Sequence, residues 1–277
     1  DITWENIGDP VAKSLEAGRD DVVQFLEGAG PVGSFRVLPL AEMTSNRFAG
    51  FGISSLGGSH AAKPRLFQDF QDARIFDNLG WLRLLNIRYI ITPQAITPLP
   101  PFLREVFKGS QIVYENLLAL PRATLVDRYR IVTPERAILD SVSRGSSESA
   151  EYAFLTADPG FPPGTMGKAA ARIVGYRLND VTLETESEGP ALLRLADLWY
   201  PDWVAKVDDR PARVLRTDYF LRGVVVPGGR HRVVLTFQSK AMRQGLTLSI
   251  ACFVVALTAI VAGSLRRRGA LEPAGAA

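Results

Sequence analysis

The sequence predicts an α+β fold: an N-terminal α/β unit, then an all-β sandwich of jelly-roll type, then one C-terminal transmembrane helix. Three observations carry this. Helical and strand patterns alternate through the first half, short strands alone follow the middle, and a charge-free apolar run closes the chain.

In the first half, "DDVVQFLEGAG" places Val22, Val23, Phe25 and Leu26 on one face ahead of a Gly exit, which predicts a short amphipathic helix. The strand candidate "SFRVLPL" follows. "NLGWLRLLN" puts Leu79, Leu82 and Leu85 at helical spacing and leads into "IRYIITP", a β-branched run stopped by Pro93. "QIVYEN" and "ATLVDRYRIV" supply two further strands, and Gly-rich "GFGISSLGGSH" reads as a loop between units.

At Ser141 to Ser149 the composition turns polar and Ser-rich, a linker or exposed loop. Beyond it, "ARIVGYRLNDVTLETESEG", "ALLRLADLWY", "WVAKVDD", "ARVLRT", "YFLRGVVV" and "RHRVVLTF" are short strands separated by turn residues. In the last of these His231, Val233, Leu235 and Phe237 alternate with Arg230, Arg232, Val234 and Thr236, so one face is expected to be buried. The expected organisation is an α/β unit over 1–140, a linker over 141–168, the sandwich over 169–240, a span over 244–266 and a tail over 267–277.

The span rests on Leu246 to Leu265, which carries no charge and as a helix measures roughly 30 Å, the thickness of a bilayer's hydrocarbon core. Its ten Leu, Ile, Val and Phe residues sum to about −3 to −6 kcal/mol on a translocon scale. Arg243 flanks it on one side and Arg266, Arg267 and Arg268 on the other. The Arg triplet outweighs the more distant Arg230, Arg232, Lys240 and Arg243, which places the body outside the cytoplasm and the tail "GALEPAGAA" inside. The start "DITWENIGDP" has neither a basic n-region nor an apolar h-region, so the expectation is the C-terminal piece of a longer polypeptide or a signal-cleaved protein.

With 277 residues, 47% hydrophobic and 22% charged, the chain is globular outside the span. A net charge of +3 without a dense Lys/Arg face argues against nucleic acid. Cys252, the single cysteine, lies in the span, so neither a disulfide nor a thiolate metal site is expected in the body. His60 and His231 are the only histidines and have no partners at ligand spacing; neither a metal nor a cofactor is expected.

Read in order, "DDVVQFLE" with "FRVLPL", then "GISSLGGSH", "LLNIRYIIT" and "VYENLLALPRATLV", form the first part of a longer pattern. Above all "LADLWYPDWVAKVDDRPARVLRTDYFLRGVVVPGGRHRVVLTF" completes it. The string resembles the C-terminal extracytoplasmic region and last transmembrane helix of the bacterial YfhO family, polytopic membrane proteins grouped with the GT-C glycosyltransferases. The family's loop commonly carries an aromatic after Gly-Gly, where this chain has Ser59. The resemblance implies a transferase that takes sugar from a polyprenyl-phosphate donor to a cell-envelope glycan in a bacterial membrane. It also implies that the catalytic acid lies among upstream transmembrane helices, so no residue of this chain inherits that role. Its expected partners are then membrane lipid, those upstream helices, the lipid-linked sugar and the glycan.

Within "WYPDW", Trp199, Tyr200 and Trp203 could stack on a sugar ring while Asp202 accepts its hydroxyls; the competing reading is that the aromatics close the core. Asp202, Asp208, Asp209 and Asp218 form a possible acid/base set, against which stands turn chemistry at Asp208-Asp209. "GISSLGGSH" lacks the ending of a phosphate-cradling loop, and Ser54, Ser55 and Ser59 beside His60 have no nucleophile elbow. A second reading of the whole is a single-span, membrane-anchored glycan-binding module without transferase activity.

Overall fold

The computed structural model describes residues 18–59, 64–73, 78–144 and 150–269, and of 264–269 the backbone alone. The chain is α+β, with strands in several mostly antiparallel sheets, a few short helices and one long C-terminal helix. The described residues up to Thr236 form one compact unit and those from Phe237 onward a second.

The first part of the compact unit is built from helix α1 (Asp21–Gly28), strand β1 (Arg36–Pro39), helices α2 (Arg47–Gly50), α3 (Arg65–Asp72) and α4 (Leu79–Leu84), and strands β2 (Ile87–Thr92), β3 (Leu103–Lys108) and β4 (Ile112–Asn116). Asp20 caps α1 by accepting from the Val23 amide at 3.0 Å, and the helix buries Val22, Val23 and Leu26 as the sequence pattern demands. The strands form a sheet in the order β1-β2-β4-β3, with β1 parallel to β2 and the other ladders antiparallel. The loop after α2 extends this sheet: the Val37 amide donates to the Ser54 carbonyl and the Leu56 amide to that of Val37, both at 2.9 Å.

Next come β5 (Ala123–Val126), β6 (Arg128–Ile131), α5 (Ala137–Arg144) and β7 (Tyr152–Leu155). The single strand expected over "ATLVDRYRIV" is two. β5 joins one sheet and β6 another, and between them the Asp127 carboxylate accepts from the Met166 amide at 2.8 Å. Ser141 to Arg144 belong to α5, which buries Ile138, Leu139 and Val142; the rest of the Ser-rich stretch, 145–149, lies outside the described residues.

The remaining strands are β8 (Ala169–Arg177), β9 (Asp180–Ser187), β10 (Ala191–Leu198), β11 (Trp203–Val207), β12 (Arg210–Ala212), β13 (Val214–Thr217), β14 (Leu221–Val226) and β15 (Gly229–Phe237). They form two sheets, β13-β14-β10-β5 and β12-β11-β15-β9-β8. Val181, Leu183, Val233 and Leu235 from one sheet meet Leu193, Leu195, Val224 and Val226 from the other in a shared core, which makes this a β-sandwich. Burial in β15 follows the expected alternation, with Val233 and Leu235 inward. β5 comes from the segment expected to end with the α/β unit, yet it pairs with β10. A second core joins the sandwich to the first sheet's helices, with Phe220 stacked on Trp81 at 5.3 Å between centroids and 7° between planes.

Helix α6 (Lys240–Gly269) is, over Lys240–Gly263, long and apolar enough to cross a membrane, and none of that stretch is buried within the protein. Thr247 and Thr258 donate their hydroxyls to the carbonyls of Arg243 and Val254 at 2.8 Å, so their polarity is satisfied inside the helix. Arg243 is exposed on it; Arg266, Arg267 and Arg268 lie on its backbone, with side chains outside the described residues.

Candidate functional site

Of the "WYPDW" aromatics, Trp199 and Tyr200 lie in the turn between β10 and β11 and Trp203 opens β11. Trp199 and Trp203 are half-buried and Tyr200 is 48% exposed. Each indole has an arginine over its ring: Arg216 lies 5.3 Å from Trp199 and Arg222 3.7 Å from Trp203. Trp203 also packs against the core between the sheets. The tryptophans therefore serve packing in part, and Tyr200 is the most exposed ring of the turn.

The four aspartates are not brought together as an acid/base set. Asp208 and Asp209, at φ 47° and 64°, make the two-residue turn between Val207 and Arg210, the left-handed geometry that Asp tolerates. Asp202 stands in the β10–β11 turn and Asp218 in the β13–β14 turn. Asp218 is fully buried and ties that turn to β7. Its amide donates to the Phe154 carbonyl at 2.8 Å, its carboxylate accepts from the Phe154 amide and the Thr217 hydroxyl at 2.9 Å, and Arg194 stands 3.6 Å away. Burial pushes the Asp218 carboxyl up, against the pull of Arg194 and its hydrogen bonds.

His231 is clamped rather than open. Its Nδ1 faces the Asp208 carboxylate at 2.6 Å and its Nε2 the Gly228 carbonyl at 3.1 Å. Two acceptors satisfy both ring nitrogens only when both are protonated. The Asp208 hydrogen bond accordingly raises the imidazole above its ordinary value, with burial opposing and the carbonyl assisting, while the same bond lowers the Asp208 carboxyl. While both nitrogens carry protons the ring has no lone pair to act as a general base. It stands in a shallow groove of about 650 Å³ on β8, β9 and β15, where Arg172 pairs with Glu184 at 2.6 Å and Arg230 with Glu186 at 3.0 Å. His60 lies outside the described residues, among which no His/Cys/Asp/Glu cluster suits a metal.

The Gly-rich loop contributes a hydroxyl to a centre that sequence reading missed. Arg122, in front of β5, reaches Ser54 at 3.0 Å, the Gly33 carbonyl at 3.3 Å and Asp197 at 2.6 Å. Asp197 also receives Arg36 at 3.3 Å and the Tyr176 hydroxyl at 3.1 Å, with Arg222 at 3.8 Å. All three guanidiniums are nearly out of solvent, so three cations share one carboxylate. Burial alone would raise the Asp197 carboxyl, but Arg122, Arg222 and Arg36 hold it below the usual carboxylate range. Burial and the neighbouring Arg122 push Arg36 down to about 10, against Asp197. Nη1 of Arg222 is buried with no hydrogen-bond partner. The available signal was an inward-facing charge inside an apolar strand: Arg194 and Asp197 in "ALLRLADL" and Arg222 in "FLRGVVV".

A hollow of about 340 Å³ lies outside this centre, lined by Pro31, Val32, Phe35, Phe51 and Ile53 with Arg19 and Glu27 at its rim. The one beside Lys240, Gln244 and Ala251 is the side of a single helix rather than an enclosed space. No protein-family model, no curated protein and no solved structure matches this chain.

Proposed function

We propose that the chain is the non-catalytic, extracytoplasmic portion of a polytopic membrane glycosyltransferase-like protein. In this reading the parent moves sugar from a polyprenyl-phosphate donor to a cell-envelope glycan, and the chemistry belongs to transmembrane helices of the parent rather than to this body. The observation that carries it is the pairing of a span-competent α6 with a body whose best-formed polar centres are structural. Asp197, Asp218 and His231 are each locked between partners, and none is poised to exchange a proton with a substrate. The ordered resemblance of "LADLWYPDWVAKVDDRPARVLRTDYFLRGVVV" and its companions to the YfhO family supplies the reaction class.

Reconstituting the full chain with a polyprenyl-phosphate hexose and envelope glycan should give no transfer, and turnover by this chain alone would overturn the division of labour. Orientation is tested by a single cysteine at Glu188 in a Cys252→Ser background. An impermeant maleimide should label it in intact bacteria, whereas labelling only after lysis would reverse the topology.

The exposure of Tyr200 favours a second reading, a membrane-anchored glycan-binding module. It requires that Tyr200→Ala weaken binding of envelope glycan to the chain without altering its melting.

A further inference from the structure

The centre at Asp197 carries more positive charge than its own residues neutralise. Arg36, Arg122 and Arg222 converge on one carboxylate, and among the described residues none of the three pairs with any other acid. The carbonyls of Leu85, Ala196, Gly33 and Leu198 accept from them at 2.6 to 3.3 Å, which satisfies N–H groups with dipoles but adds no negative charge. Tyr176 is not a second anion. Burial, and then Asp197, push its phenol above the ordinary value, so it stays protonated and donates to Asp197 at 3.1 Å. Two of the three positive charges are left without a counter-ion where water scarcely reaches, the setting in which an unanswered charge is most costly.

The deficit is concentrated at Arg222, whose side chain is 8% exposed. Arg36 and Arg122 each place a nitrogen within 3.3 Å of the Asp197 carboxylate. Arg222 instead spends its Nε on the Leu198 carbonyl at 2.9 Å and holds Nη2 at 3.8 Å from Asp197, beyond hydrogen-bond reach. Its Nη1 is buried with no hydrogen-bond partner. Trp203 lies 3.7 Å from the guanidinium carbon and attracts the cation through its ring face. That contact neutralises no charge, and a ring against the face of a guanidinium does not serve N–H bonds that point outward in its plane.

We propose that the Asp197 centre is a structural halide site, with chloride held at Nη1 of Arg222 and offsetting the excess positive charge. A monatomic anion is the class that fits. The hollows described above are lined by other residues, and a one-atom ion needs none of their volume. Its effect falls on the seam between the first sheet and the sandwich, because Arg36 comes from β1, Asp197 from β10 and Arg222 from β14. Repulsion among the guanidiniums opposes closing that seam, and the anion relieves it.

The full chain, kept in nonionic detergent, is unfolded with urea at fixed ionic strength while chloride is exchanged stepwise for gluconate. With chloride about ten times above its dissociation constant, linkage multiplies the folded-to-unfolded ratio about tenfold, so the urea midpoint should climb with the logarithm of chloride concentration. Arg222→Met keeps an unbranched stem beside Trp203 and should abolish the climb. Arg230→Met, which removes an exposed arginine paired with Glu186, should leave it unchanged. A wild-type midpoint indifferent to chloride, or a climb undiminished in Arg222→Met, overturns the proposal. Wild-type crystals soaked in bromide give a reading that does not require Arg222→Met to fold. An anomalous peak within hydrogen-bond reach of Arg222 Nη1 is expected, whereas peaks at exposed arginines alone, an adventitious ion only, or no peak at all, overturn the site.

Discussion

Asp197 neutralises part of the charge of three buried guanidiniums, so its removal leaves cations that water cannot reach. Breaking a buried pair from one side typically costs about 3–5 kcal/mol. Asp197→Asn should therefore lose stability of that order in chemical denaturation, and a loss below about 1 kcal/mol would show that water enters the centre. His231 gives a prediction in pH. Its folded pKa is raised, so its contribution is complete below its ordinary value near 6.5 and is lost as pH climbs through the folded value. Asp208 is lowered, so its contribution is present above its ordinary 3.8 and is lost as pH falls through the folded value. Melting midpoints of the wild type minus those of His231→Gln should be greatest in mildly acidic solution and shrink toward alkaline pH; a difference that grows with pH contradicts the clamp. The clamp was not legible in the sequence, where His231 and Asp208 are simply a histidine in a strand and an aspartate in a turn.

At the scale of the element, α1 depends on its cap. Asp20 accepts the Val23 amide and also receives Arg47 at 2.5 Å, so Asp20→Ala should cost about 0.5–2 kcal/mol, measured by equilibrium unfolding. The core shared by α3, α4 and the β13–β14 turn is more demanding. Phe220 is nearly buried and stacked on Trp81, and its truncation to Ala should cost about 3–5 kcal/mol through the cavity left behind. Helices α1 and α4 and strands β1, β2, β4, β8 to β11 and β13 to β15 follow from apolar spacing and turn residues, because a regular element is built from neighbours at i+2 or i+4, whereas β12 falls on Arg210-Pro211, which reads as turn. α3 has the spacing, with Leu66, Phe67 and Phe70, but is eight residues long and begins at Pro64 with no side-chain cap to announce it. β3, on the sheet edge, fully buries only Leu103, so its alternation is faint.

Over the whole molecule, the decisive test is whether α6 holds the chain in a bilayer. The full chain should stay with membranes through alkaline carbonate and leave them only in detergent; extraction by carbonate would make α6 a surface helix. The sequence by itself determined the apolar span, the strand-rich second half and the absence of thiol chemistry in the body, since each is a matter of composition or short-range period. Tertiary structure decided the rest. It alone paired β5 with β10, stacked Phe220 on Trp81, and drew Arg36, Arg122, Tyr176 and Arg222 around Asp197. Those residues are far apart along the chain, and only closing the loops between them onto common cores fixes which charge meets which. No local periodicity encodes that choice, which is why the polar centres that hold this body together had to be seen rather than read.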